Sequence, residues 1–354
     1  EDLERERHYL NMALKIEGVE ENQELMFTTS ENRIRTEISN FMKFSMVGGN
    51  LMFGVTDLSI QDCILDYRND LYTFGGTLLF LRAYNPNLEK CICDAAEKSS
   101  PRKYLSGLYG YQAGVLLEYL LKIESKQKYV AARSMISDED VVDFSTYGSA
   151  ILTLHVLFKY THKAEYQEDI KKLGACFLKK MENQKLTGLF HGYAGDCLVI
   201  SVMAHYFDKT SIYKKMEAAI RKENEHFNKL RGNWQDTREG MKNDNDMSAI
   251  SYGAVGIVFS RLCIYLKKET PDLIKKMCWE DINLGIKKLV SQSREEYSDD
   301  TLINGYSGSL IVLKMIQDTK IIKDDSLNRK IDALIQEGKK ILTGQTWRYP
   351  KFTY

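Results

Sequence analysis

The feature that most constrains the fold of this chain is a recurring word: a tight turn of Gly and small residues, followed at once by an apolar helix-forming run. It occurs six times, at 71–81, 107–117, 143–152, 188–195, 250–257 and 303–310. Anchored at Phe74, Tyr111, Tyr147, Gly192, Gly253 and Gly305, the words lie 37, 36, 45, 61 and 52 residues apart. Each interval has room for two helices and two turns. A helix pair cannot bury its own apolar face, so repeated pairs must stack on one another, as an open solenoid or a closed ring. In a ring the Gly-rich turns and the inner-helix N-termini converge on one mouth, where free backbone N–H groups and polar side chains meet. Chemistry is expected at that mouth.

The rest of the sequence supports an all-α reading. In Tyr166 to Glu182, Ile170, Leu173, Phe177 and Met181 recur at helical spacing, and strict apolar/polar alternation over consecutive segments is missing. Four prolines in 354 residues leave long stretches open to helix. The stretch from Arg221 to Asp246 reads as a solvated helix followed by a loop. No Pro-, Gly- or Ser-rich linker divides the chain, so a single domain over 1–354 is expected, with a helical N-terminal segment 1–69 and repeats over 70–354. A seventh Gly-rich turn is due roughly 40 to 60 residues after Gly305. Only Gly344 precedes Trp347-Arg348-Tyr349-Pro350, so the expectation is six complete repeats.

Composition narrows the function. Lys plus Arg and Asp plus Glu both number 49, so no global field draws nucleic acid or an anionic membrane. The longest apolar stretches, such as Cys197 to Ala204, fall short of the roughly 18 to 20 residues of a membrane span. The acidic start Glu1-Asp2-Leu3-Glu4 is unlike a secretory signal, and seven cysteines without a framework-like spacing favour reduced thiols, so a cytoplasmic location is expected.

His191-Gly192-Tyr193-Ala194-Gly195 and Ser251-Tyr252-Gly253-Ala254-Val255-Gly256-Ile257, with the other words in order, resemble the lanthionine synthetase C-like cyclases over roughly Asp70 to Leu313. The resemblance implies an α/α toroid, a double helical barrel built from repeated helix pairs. It implies Michael addition, in which a peptide Cys thiol attacks dehydroalanine or dehydrobutyrine to form lanthionine or labionin. His191 stands where the family places its acid/base histidine. Asp143 resembles the Asp that opens the third repeat, although it lies one residue further from Gly148 than the family word puts it, with Phe144 at the expected spacing. The family's zinc ligands fall on Ser251, Ile303 and Asn304. Ile has no donor, and Ser and Asn are poor ones for zinc, so no metal and no other cofactor is expected. The missing ligands match the zinc-free cyclase domain of class III lanthipeptide synthetases. That match implies a fragment of a larger synthetase, with a precursor peptide, a lyase domain and a kinase domain as partners.

On this reading His191 and Asp143 are the catalytic pair, and Tyr252, Ser251, Asn304 and Tyr193 contact the peptide. Plainer readings stand beside it. Asp143 is also a good helix N-cap, and the turn tyrosines suit core or rim. His155, His162 and His205 fall within helical patterns, and Cys197 opens an apolar run as a buried thiol. Two other functions remain open. One is a degenerate toroid that binds and positions the precursor for neighbouring lyase and kinase domains. The other is an unrelated toroid hydrolase, which needs two carboxylates facing one cavity; the turns offer Asp143 and Asp196.

Overall fold

A computed structural model describes residues 46–47, 50–51, 53–57, 62–66, 68–69, 71, 74–84, 86–98, 100–101, 104–123, 129–137, 141–238, 247–344 and 348. Eleven α-helices are described: α1 (Phe74–Tyr84), α2 (Glu89–Lys98), α3 (Tyr111–Leu121), α4 (Ser149–Thr161), α5 (Ala164–Met181), α6 (Tyr193–Met203), α7 (Lys209–Asn224), α8 (Ala254–Tyr265), α9 (Asp272–Leu289), α10 (Tyr306–Thr319) and α11 (Asp325–Gly344). They form an α/α toroid. The turn in each Gly-rich word ends where a helix begins, so α1, α3, α4, α6, α8 and α10 are the inner set. Each inner helix packs on the next, and α2, α5, α7, α9 and α11 lie against them from outside.

Sequence explains the two layers. Every residue of α6 from Tyr193 to Met203 is buried, as its near-continuous apolar run requires between two inner neighbours and an outer helix. The outer α5 is amphipathic instead: Ile170, Leu173 and Phe177 are buried while Lys171, Lys172, Lys179 and Lys180 face solvent. Small residues let the inner N-termini approach neighbouring backbone. Gly253, with φ +81°, caps α8, and a Cβ there would collide with the Met247 carbonyl as well as strain the backbone.

Three expectations change. Of the expected helical segment 1–69, residues 1–45 lie outside the described residues. Further on, antiparallel strands pair Met46–Val47 with Asn50–Leu51 and Phe53–Asp57 with Asp62–Asp66, and Arg68–Asn69 pairs in parallel with Ser100–Pro101. Gly54, Val55, Thr56 and Ile64 are poor helix formers, and the β-branched ones suit extended pairing. In the second repeat, the described residues after α3 supply one 3-10 turn, Ala132–Met135, where other repeats place an outer helix. The solvated helix expected from Arg221 is the end of α7, but Glu223 within it is fully buried. A short strand pair, Phe227–Asn228 with Asn233–Trp234, follows. Asn243 to Asp246 lie outside the described residues.

Candidate active site

The turns of successive repeats are stitched along one rim. Leu71 N donates to Leu108 O, Ser106 Oγ to Ser145 O, Leu189 N to Ser251 O and Ser251 N to Ile303 O, at 2.7 to 3.2 Å. Between the third and fourth turns the link is made by side chains: His191 Nδ1 lies 2.5 Å from Asp143 Oδ2.

Asp143 serves two purposes, one per oxygen. Its Oδ1 accepts from Ser145 Oγ at 2.7 Å and from Thr146 N at 3.1 Å, capping the turn Phe144–Gly148, while Oδ2 is left to His191. That turn is of π type, closed by Gly148 N to Asp143 O at 2.8 Å. A π-turn takes up one residue more than an α-turn. The displacement of Asp143 by one residue from the family spacing is thereby absorbed, and its carboxylate still reaches His191. Asp143 thus both caps this turn and meets the His191 ring.

Burial raises the Asp143 carboxyl. Hydrogen bonds from His191, Ser145 and Thr146 and the attraction of His191 outweigh burial and hold it below the ordinary value of 3.8. Asp143 is almost wholly buried, whereas the His191 side chain is 39% exposed. An ionised Asp143 accepting from Nδ1–H leaves the Nε2 lone pair of His191 available. Both side chains border a cavity of about 460 Å³, lined also by Val141, Leu186, Lys180 and Gln184.

Tyr252 stands beside this pair, its ring centroid 6.0 Å from that of His191. Above Tyr252 lies the Arg238 guanidinium, 3.6 Å from the ring centroid and held by both carboxylate oxygens of Asp236. Burial pushes the Tyr252 hydroxyl up, against the pull of Arg238. Ser251 Oγ donates to Asn304 Oδ1 at 2.5 Å, and the Ser251 carbonyl accepts from Leu189 N and Phe190 N, next to His191. Tyr193 is not brought into this group. It is buried, its hydroxyl donates to Gln184 O, and it lines a separate groove with Met181 and Lys215, because the first residue of α6 points between α5 and α7.

Asp196 does not pair with Asp143 across the cavity, as a toroid hydrolase needs. It is buried in the first turn of α6, accepts from Gln184 Nε2 at 2.9 Å, and is raised to about 8 by burial. His155 and His205 stack 5.6 Å apart, well away from the turns, and His162 ends α4 in a left-handed conformation at φ +55°. Arg238, Asp236 and Gln184 border the candidate site and are missed by the sequence reading. They carry no local motif and reach the rim from segments 40 or more residues distant from Asp143.

The zinc triad implied by the resemblance does not fit here. Ile303 contributes a backbone carbonyl to Ser251, and Ser251 and Asn304 satisfy each other. No thiolate or imidazole stands at any of the three positions. Residues 79–278, more than half of the chain, match the family described as Lanthionine synthetase C-like protein. A search of curated proteins returns no individual match.

Proposed function

This chain belongs to the lanthionine synthetase C-like family, and from that premise we propose that it is a cyclase forming lanthionine or labionin rings without zinc. The observation that carries the proposal is the 2.5 Å bond between His191 Nδ1 and Asp143 Oδ2 at a cavity wide enough for peptide side chains.

A Cys thiol with a pKa of about 8.5 is only a few per cent ionised at pH 7, so a base must take its proton. His191 Nε2 takes it as the sulfur bonds the β-carbon of the dehydro residue. The electron pair of the double bond moves onto the α-carbon and its carbonyl, and the same nitrogen returns the proton to the α-carbon. Atoms and charge balance, and no cofactor is consumed. Asp143 fixes the tautomer and steadies the imidazolium between the two transfers. Tyr252, Ser251 and Asn304 contact the peptide on the next turns, and the Arg238 guanidinium stacked on Tyr252 offers a positive charge to the carbonyl of the enolate. The absence of zinc donors supports placement beside the lyase and kinase domains of a class III synthetase in the cytoplasm. Among the described residues no helix is long and apolar enough to cross a membrane.

The test incubates wild type and H191A with a dehydrated precursor and counts free thiols against time. Ring formation by wild type above the uncatalysed rate, and its loss in H191A, supports the proposal. Equal rates in the two proteins remove His191 from the chemistry. A wild type no faster than buffer leaves a toroid that only positions the peptide.

A further inference from the structure

Behind the His191 turn lies a network of charges that the reaction does not touch. Glu223 and Arg261 are wholly buried and Asp281 is 1% exposed. Arg261 Nη2 donates to Glu223 Oε2 at 2.5 Å, and its Nε donates to Asp281 Oδ2 at 2.8 Å. Asp281 Oδ1 accepts from Asn224 Nδ2 at 2.7 Å, and Asn224 Oδ1 accepts from Trp234 Nε1 at 2.8 Å. Among the described residues Arg261 Nη1 has no hydrogen-bond partner. As a source of stability this is a poor arrangement, since apolar residues of similar volume often do as well or better.

Its geometry suggests another purpose. The second oxygen of Glu223, Oε1, accepts from Gly188 N at 2.9 Å and from Ala194 N at 3.2 Å. Those two residues bracket Leu189-Phe190-His191-Gly192-Tyr193. One buried anion thus fastens both ends of the loop that carries His191 to α7, while Arg261 of α8, itself held by Asp281 of α9, holds the anion. Resting on the cyclase reading, we propose that Glu223 is a positioning residue: it sets the distance from His191 to Asp143 and to the substrate thiol through the two turn amides. Charge-assisted bonds to backbone amides are short and directional, and a misplacement of about 1 Å in a reacting group can cost about a hundredfold in rate.

The test compares E223L, which removes the acceptor, with E223Q, which keeps an oxygen for the two amides. The readouts are kcat, KM and the His191 Hε1 chemical shift as a function of pH, with D143N supplying the curve of a His191 without its carboxylate. We expect E223L to lose tenfold or more in kcat with KM within about twofold, and its His191 curve to move toward that of D143N. E223Q restores kcat to within about threefold of wild type. A folded E223L with wild-type kcat and a wild-type His191 curve overturns the proposal, as does an E223Q no better than E223L. If E223L does not fold, E223D, whose carboxylate is withdrawn by one methylene, is judged by the same criteria. If wild type forms no rings, the cyclase reading fails and the His191 curves alone decide the positioning role.

Discussion

His191 and His155 each meet a side-chain oxygen through Nδ1, the first at 2.5 Å from Asp143 Oδ2 and the second at 2.7 Å from the Tyr206 hydroxyl. Around His191 the chain places a buried carboxylate, an open cavity and an aromatic neighbour, and it leaves 39% of the side chain exposed. Around His155 it places His205, Lys267 and Lys159, and burial together with those cations pushes the ring down to about 4. On the proposed mechanism the contrast separates two uses of one residue type. A carboxylate partner steadies an imidazolium, so a proton can be taken and returned. A hydroxyl partner among cations opposes the charged form and leaves a neutral group that packs.

The comparison breaks most directly at the two rings. H191A is expected to lower ring formation by a hundredfold or more, the scale of a lost acid/base, whereas H155Q changes it by less than about twofold. Free-thiol loss under identical conditions measures both. A large loss in H155Q and none in H191A would reverse the assignment.

D143N comes next, with a tenfold to hundredfold loss of kcat, because an amide no longer holds the Nδ1–H tautomer or its charge. The carboxyl also contributes to folding. Its value is lowered in the folded chain, so the contribution is fully present above the ordinary value of 3.8 and is lost as pH falls below it. Urea unfolding should therefore show D143N less stable than wild type at pH 7 by about 1 to 2 kcal/mol for the weakened bond to His191, since Asn still caps the turn. The gap should narrow progressively as pH falls below 3.8, and a gap that does not change with pH there would mean that packing, and not charge, explains the difference.

His155 predicts the same pH sense in a higher window. Its folded value of about 4 lies below the ordinary 6.5, so its contribution is fully present above 6.5 and is lost as pH falls toward 4. Melting temperatures taken at pH 7 and pH 4.5 should drop less in H155Q than in wild type. Equal drops would mean that His155 charges freely in the folded chain.

How much of this was legible in the sequence depends on whether its signal was local. Gly110, Gly192, Gly253 and Gly305 each cap an inner helix where the repeated word places a turn, so the stacked helix pairs could be read from spacing, while closure into a toroid came with the family resemblance. The bond from Asp143 to His191 could not. It depends on a π-turn that adds a residue, and turn type is decided by the Thr146 cap and by packing of Gly148 against Phe177 and Val199. Glu223 carried a signal that charge counting hides: it follows Ile212, Met216, Ala219 and Ile220 on the buried face of α7. Arg261, set within the apolar run of α8, carries another. Charged residues at core positions mark a network, but its members come from three helices and no local word joins them.

The smallest effect expected at the mouth is that of S251A. Ser251 ties the fourth turn to the fifth and sixth through its backbone, with its carbonyl accepting from Leu189 N and Phe190 N and its N–H donating to Ile303 O. Alanine keeps all three bonds. The hydroxyl adds one donated bond to Asn304, and losing it costs on the order of 1 kcal/mol. Ring formation in S251A should stay within about threefold of wild type, measured in the assay used for H191A. A hundredfold loss would mean that the fifth turn supplies a reacting group of its own, and the contrast between His191 and His155 would no longer suffice to locate the chemistry.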